Sequence, residues 1–262
     1  MRKQNFWRFV GLVAVIGAVG GGLAPRLHAV PHVKGLKEGL KEGLKDGQTA
    51  PAVFSLSAKA PKGAFVLISG KPEEMTANWY KRRSTDPAPW TYDEHGATVP
   101  STSPKVDITS KQEFGDCYVH AEFRSVTGPD GKVLGGGNSG VGLMGRYEVQ
   151  ILNSYGRPVE SHECGALYSQ KAPLVNACKP GGEWQTFDII FRTPRFDGDG
   201  KVVEQARATV FQNGILIQNN EEFKGPTGIQ YEVYKSEAKT GPLVLQGDHD
   251  PVQFRNVWVA PL

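Results

Sequence analysis

Gly135-Gly-Gly-Asn-Ser-Gly-Val-Gly-Leu-Met-Gly-Arg-Tyr-Glu-Val-Gln-Ile-Leu-Asn-Ser-Tyr-Gly156 is a glycine-rich turn that runs into a strand and leaves through a second turn. From Arg146 the residues alternate, so that Arg146, Glu148 and Gln150 share one face and Tyr147, Val149 and Ile151 the other. The apolar face suits a core. The opposite face sets a cation, a carboxylate and an amide in a row, which a polar ligand site uses; a solvated face is the alternative reading. Glycines at 135–137 and 140 leave the backbone free to turn Asn138 in beside a ligand.

A second strand reads the same way. In Lys111-Gln-Glu-Phe-Gly-Asp-Cys-Tyr-Val-His-Ala-Glu-Phe-Arg124, the side chains of Tyr118, His120, Glu122 and Arg124 fall on one face, with Cys117, Val119, Ala121 and Phe123 on the other. Sequential strands are spatial neighbours about two-thirds of the time. The pattern therefore predicts Glu122, Arg124, Arg146 and Glu148 side by side, as a ligand site or as a cross-strand salt-bridge lattice.

The rest of the chain adds short strands and turns. Ala64–Ile68 opens the domain, and Trp79 and Trp90 are core residues or sugar-stacking platforms. Trp79-Tyr-Lys-Arg-Arg83 reads as a basic surface segment. Ser161–Tyr168 and Ala172–Cys178 form a long structured loop of the kind that walls a site, with Tyr168 as the wall residue and His162 exposed. Glu183–Phe191 is a strand with Gln185, Phe187, Ile189 and Phe191 on one face. Asn213-Gly214 between two alternating runs is a hairpin signal. Arg195–Lys201 reads as a hairpin turn, with a calcium loop as the alternative. Gly241–Val259 supplies two closing strands around Gly-Asp-His-Asp, where His249 is placed to titrate near neutral pH or to meet a metal.

These many short strands, with 32 glycines, 18 prolines and 39% hydrophobic residues in 262, predict an all-β fold, a two-sheet antiparallel β-sandwich over residues 61–262. Residues 1–29 read as a signal peptide: three cations, the apolar run Phe9–Ala24, and a cleavage site after Ala29, with an uncleaved anchor as the alternative. Residues 30–60 are a low-complexity linker in which Gly-Leu-Lys-Glu recurs, its glycines weakening any helix. Losing the leader takes the formal net charge from +3 to about −1, which argues against nucleic acid as a partner and leaves no membrane span. An exported protein, periplasmic or extracellular, can form disulfides, and Cys164 and Cys178 flank a loop short enough to be closed by one. Cys117 reads as a buried apolar residue.

The set Lys111-Gln-Glu-Phe-Gly-Asp116, Glu122-Phe-Arg124, Asn138-Ser-Gly140, Arg146-Tyr-Glu-Val-Gln150, Cys164-Gly-Ala-Leu-Tyr168, Pro173-Leu-Val-Asn-Ala177, Gly182-Glu-Trp-Gln-Thr-Phe-Asp188, Asn213-Gly214, Gly225-Pro-Thr227, Leu245-Gln-Gly-Asp-His249 and Phe254-Arg-Asn256 resembles the 3-keto-disaccharide hydrolase family, also called domain of unknown function 1080. The resemblance runs from about residue 64 to the end of the chain, and Asp250 departs from it where a glycine is expected. It implies a jelly roll of the concanavalin A-like lectin/glucanase type with its site on a concave sheet. It also implies catalytic roles for Glu148 and His249 first and Glu122 next. Substrate contacts fall to Arg146, Gln150, Arg124, His120, Asn138, Tyr168 and Gln246. The chemistry implied is cleavage of a sugar oxidised at C3: a base removes the acidified C2 proton, an enolate forms, the C1 substituent leaves and water adds. Glu148 or His249 would be base and acid, and Arg146 or Arg124 would hold the enolate. The resemblance fixes no cofactor; a divalent metal ion held by His249 with Glu148 or Glu122 is an alternative to the arginine. Conventional glycoside hydrolysis by the carboxylates, or a non-catalytic carbohydrate-binding module, are the competing readings.

Overall fold

The computed structural model describes residues 56–102, 105–227 and 237–262. The expected signal peptide and the Gly-Leu-Lys-Glu repeat lie outside the described residues. Among the described residues, no helix is long and apolar enough to cross a membrane.

Alternating apolar and polar residues, punctuated by glycine and proline, yield fifteen strands and one short helix among the described residues. In chain order they are β1 (Phe65–Ile68), α1 (Glu73–Asn78), β2 (Trp79–Lys81), β3 (Thr91–Asp93), β4 (Gly96–Thr98), β5 (Ile108–Phe114), β6 (Cys117–Ser125), β7 (Ser139–Leu143), β8 (Tyr147–Ile151), β9 (Gln185–Arg192), β10 (Arg195–Phe196), β11 (Val202–Glu204), β12 (Arg207–Gln212), β13 (Ile215–Glu222), β14 (Gly241–Leu245) and β15 (Val252–Pro261). The helix was not legible as one. Pro72 and two glutamates start it, and Glu74 accepts from Ser69 N at 2.6 Å and Ser69 Oγ at 2.5 Å.

The larger antiparallel sheet has eight strands in the order β13-β12-β9-β6-β15-β4-β3, with β1 also on β15; the smaller has five, β2-β5-β14-β7-β8. The two-sheet sandwich is the expected fold. The expected neighbours β6 and β8, however, lie in different sheets. The intervening β7 turns back on β8 through Met144-Gly145, where both residues have positive φ, while β6 pairs with β9 and β15.

The core fills the space between the sheets. Cys117, Val119, Ala121 and Phe123 of β6 and Phe187, Ile189 and Phe191 of β9 face Val141, Tyr147, Val149 and Ile151 of the smaller sheet. Phe123 and Phe187 lie 4.7 Å apart, and Tyr147 meets Phe223 at 4.8 Å and Phe191 at 5.7 Å. Each such ring, fully buried, contributes about 1.5–3 kcal/mol. Burial pushes the Cys117 thiol up to about 12, as befits an apolar filler. Trp79 and Trp90 are core as well, their indole N–H groups donating to Leu67 O and Val106 O. The segment Trp79–Arg83 is thus not a surface strip: Arg82 is 8% exposed and ion-paired with Asp107 at 2.6 Å.

The Asn213-Gly214 hairpin joins β12 to β13 with φ of 53° and 80°, the paired left-handed residues of a type I′ turn. β10 and β11 form a second hairpin whose turn is closed by Asp197 Oδ1 accepting from Asp199 N and Lys201 N.

Candidate functional site

Pairing across the smaller sheet aligns its outward side chains in rows. One row is Tyr80, Thr109, Val244, Gly142 and Glu148. The next, one step along each strand on the same face, is Arg82, Asp107, Gln246, Gly140 and Gln150; Arg82 N donates to Asp107 O at 2.9 Å and Gln246 N to Gly140 O at 3.0 Å. Glycine at 140 leaves the middle of this row bare. Glu148 leans into the gap, for a Cβ on Gly140 would sit 2.4 Å from Glu148 Oε1.

The carboxylate is enclosed, with Glu148 1% exposed and Gln150 3%. Oriented to satisfy its neighbours, the Gln150 amide donates to Glu148 Oε1 at 3.1 Å and to Ser139 O at 2.8 Å. Gln246 is 2% exposed, and its Oε1 has no hydrogen-bond partner among the described residues. A buried acceptor left open beside a buried carboxylate is a place for a ligand hydroxyl.

The free edge of β8 is walled. Gly165 N donates to Gln150 O, Gln150 N to Ala166 O and Tyr168 N to Glu148 O, so residues 165–168 line β8 as a bridged segment, called the wall strand below. Thr227 completes the edge, its Oγ1 accepting from Glu148 N at 2.7 Å. Tyr168 thus sits in the site wall, its ring edge-on to the exposed His162 at 5.1 Å. Asn138 enters from the glycine-rich turn, and Asp250 fixes that turn by accepting from Gly136 N at 2.8 Å and Asn138 N at 3.0 Å. Gly135, with φ of 69°, packs so closely on this carboxylate that a Cβ would meet Asp250 Oδ1 at 2.2 Å. The aspartate at the departure from the family pattern is therefore a clamp on the turn that carries Asn138.

Beyond Gln246 the chain enters the turn that holds Asp248 and His249. Gly247 N donates to Asp107 Oδ1 at 2.9 Å, and Lys105 Nζ donates to His249 O at 2.5 Å. His249 is half-exposed, with Nε2 3.4 Å from Asp248 Oδ1. Burial, reinforced by the Asp107 carboxylate, raises the pKa of Asp248 above the usual carboxylate value.

The other polar strand faces the opposite way. Tyr118, His120, Glu122 and Arg124 do share a face, but it is the outer face of the larger sheet, on the far side of the core from Glu148. There Asp188 accepts from Tyr118 Oη at 2.5 Å and pairs with His120 Nδ1 at 2.7 Å. His120 Nε2 lies 3.5 Å from Glu122 Oε1. Glu122, 0% exposed, also accepts from Arg255 Nε at 2.7 Å, Asn256 Nδ2 at 2.8 Å and Ser57 N at 2.5 Å. Burial pushes the Glu122 carboxyl up, but these donors outweigh it and hold it near 2. Burial likewise pushes the His120 imidazole down, while Asp188 and Glu122 outweigh it and raise its pKa. Arg255 and Arg124 stack on Trp184 at 4.0 and 4.8 Å. Every acceptor on Glu122 is engaged, and the cluster fastens Ser57 and Ala58 to the sheet, with Asn256 and Trp258 donating to Ala58 O.

A family profile described as a 3-keto-α-glucoside-1,2-lyase-like domain matches residues 64–260. A solved structure of a "putative glycosyl hydrolase" from Parabacteroides distasonis is 32% identical, with a TM-score of 0.67, covering 84% of this chain and 96% of that one. The chain belongs to the 3-keto-α-glucoside-1,2-lyase-like domain family. A second structure from the same organism, 16% identical with a TM-score of 0.53 over 76% of this chain and 94% of that one, shares the fold. No curated protein matches significantly.

In this 3-keto-α-glucoside-1,2-lyase-like domain the structure unites Glu148, Gln150, Asn138, Tyr168 and Gln246 on the smaller sheet, with His249 on the turn after β14, while Arg146 lies in the β7–β8 turn, its Nη1 donating to Met144 O at 2.9 Å. It leaves Glu122, Arg124 and His120 on the other sheet. Asp107 and Arg82, in the row of Gln246, and Thr227, at the edge of β8, were not singled out from the sequence; alternation against the buried Ile108 was the signal available for Asp107. Glu122 lies on the other sheet from His249, and no group of three His, Cys, Asp or Glu side chains arranged to hold a metal ion occurs among the described residues. Gly140→Ala is expected to keep the fold, since the obstructing atom is the tip of a side chain. Moving the carboxylate by about 1 Å should lower kcat about 100-fold with the melting temperature unchanged, measured by steady-state kinetics and thermal denaturation.

Proposed function

We propose that this protein is a carbohydrate-processing enzyme that cleaves the glycosidic bond of 3-keto-glycosides by elimination and hydration. The observation that carries the reading is the enclosed Glu148 carboxylate lying across Gly140, between the Gln150 amide and the open Oε1 of Gln246.

Glu148 removes the proton at C2 of the ketosugar, which the C3 carbonyl acidifies. The electron pair moves to the carbonyl oxygen, and Arg146, in the turn that leads into β8, supplies positive charge to the enolate. The enolate collapses, the C1–O bond breaks and the aglycone departs with a proton supplied from the His249 end of the row. Water adds at C1 and gives up its proton to the His249 end of the row, while Glu148, its proton exchanged with solvent once the aglycone has left, protonates C2. Gln246 Oε1 accepts a sugar hydroxyl and Asn138 and Tyr168 border the ring. The leader expected over residues 1–29 would deliver the enzyme to the periplasm or beyond the cell.

The test is incubation with a 3-keto-disaccharide in deuterated water. Release of 3-ketoglucose carrying deuterium at C2 is expected. Release without deuterium would reject elimination in favour of direct hydrolysis, and saturable binding without release would favour a carbohydrate-binding module.

A further inference from the structure

The loop between β8 and β9 holds two thiols that the proposed reaction does not use. Cys164, 2% exposed, and the half-buried Cys178 are both free thiols. Gln212 Nε2, at the end of β12, donates to both sulfurs, at 3.5 Å to Cys164 and 3.3 Å to Cys178. The backbone on each side is held: Cys164 N donates to Ser154 Oγ at 2.9 Å and Cys178 N to Asn176 Oδ1 at 3.0 Å. Asn176 in turn donates to Ser154 O at 2.6 Å, tying one segment to the other. Two sulfurs that share one donor on tethered segments are placed to join with little backbone movement. Cys164 also leads directly into residues 165–168, the wall strand along Gln150 and Glu148.

We propose that Cys164 and Cys178 form a reversible dithiol–disulfide couple whose closure fastens the wall strand to β8 and thereby sets how freely the Glu148 pocket opens. The effect on sugar turnover rests on the function proposed above; the couple itself does not.

Cys178 is the attacking thiol. Its pKa is lowered because the Cys164 thiol hydrogen-bonds to it, against the opposing effect of burial, whereas burial raises that of Cys164. The Cys178 thiolate attacks one sulfur of a small disulfide such as oxidised glutathione and releases one thiolate. Cys164 then attacks Cys178 Sγ, its proton passing to the second departing thiolate. Two protein thiols are oxidised to one disulfide and the small disulfide is reduced to two thiols. Cys117, in the core with its thiol pushed up to about 12, stays out of the exchange.

The test equilibrates the full chain in glutathione buffers of graded poise, traps free thiols with an alkylating agent and maps them by mass spectrometry. Amide hydrogen exchange is followed over residues 165–168 in each state. A Cys164–Cys178 bridge is expected in oxidising buffer and its loss in excess reduced glutathione, with exchange of the wall amides about tenfold slower in the bridged form. Cys178→Ser should abolish both the bridge and the slowing. Alkylation of both thiols at every poise would overturn the couple, and a bridge that leaves exchange unchanged would overturn its action on the wall. Neither readout needs turnover, so a chain that fails to cleave ketosugars would still report the couple; a chain that cleaves them at one rate in both redox states, with no bridge, would refute the couple alone.

Discussion

Glu148→Gln is expected to lower kcat on a 3-keto-disaccharide by about 1,000-fold, within the range that a positioned general base supplies. The substitution keeps the shape of the side chain, its place over Gly140 and its neighbour Gln150, but removes the group that takes the C2 proton. Sugar binding and the unfolding midpoint should therefore change little, so the loss should fall on kcat and not on KM. Deuterium exchange at C2 in the absence of cleavage should vanish in parallel. A variant that turns over at the wild-type rate would remove Glu148 from the chemistry.

Glu122→Gln should do the reverse. It leaves His120 and Arg255 without their shared anion in a site where Glu122 and His120 are 0% exposed, and breaking a buried pair of this kind costs about 3 kcal/mol. Urea denaturation should show the loss, while kcat measured well below the unfolding midpoint should stay within about twofold of wild type. A kcat that collapses with stability intact would place the chemistry on the larger sheet. The same cluster gives wild-type stability its pH dependence. Glu122 titrates near 2 in the folded protein against an ordinary 4.5, so its contribution is complete above 4.5 and lost as pH falls toward 2. His120 titrates above its ordinary 6.5, so its contribution is complete below 6.5 and lost as pH rises through the raised value. Both limbs should flatten in Glu122→Gln.

Period-two alternation made the strands and their buried faces legible, because it records which side of each strand meets the core: Tyr147, Val149 and Ile151, or Val119, Ala121 and Phe123, are where their spacing put them. The same signal cannot say which sheet a strand joins. Arg146-Tyr-Glu-Val-Gln150 and His120-Ala-Glu-Phe-Arg124 look alike as strings, yet one presents an enclosed carboxylate beside an open amide oxygen and the other a closed ion cluster. The difference comes from distant partners: Arg255 and Asn256 saturate Glu122 from 133 and 134 residues away. Asp107 and Arg82 escaped notice for a similar reason, since neither is unusual until pairing sets them in line with Gln246. The Asn213-Gly214 turn was legible outright because its left-handed dihedrals are local.

β15 touches β6 along one edge and both β1 and β4 along the other, and Asn256 reaches Ala58 across 198 residues of sequence. The strand that completes the larger sheet is thus made long after the strands it joins. Until Val252–Pro261 has emerged from the ribosome, β6 and β1 have no mutual bridge, and their apolar faces wait uncovered. Assembly of this sheet is dominated by long-range pairing, which makes it slow and dependent on the whole chain being free at once. A polypeptide held unfolded until its synthesis is finished avoids the interval in which half a sandwich could seek other edges.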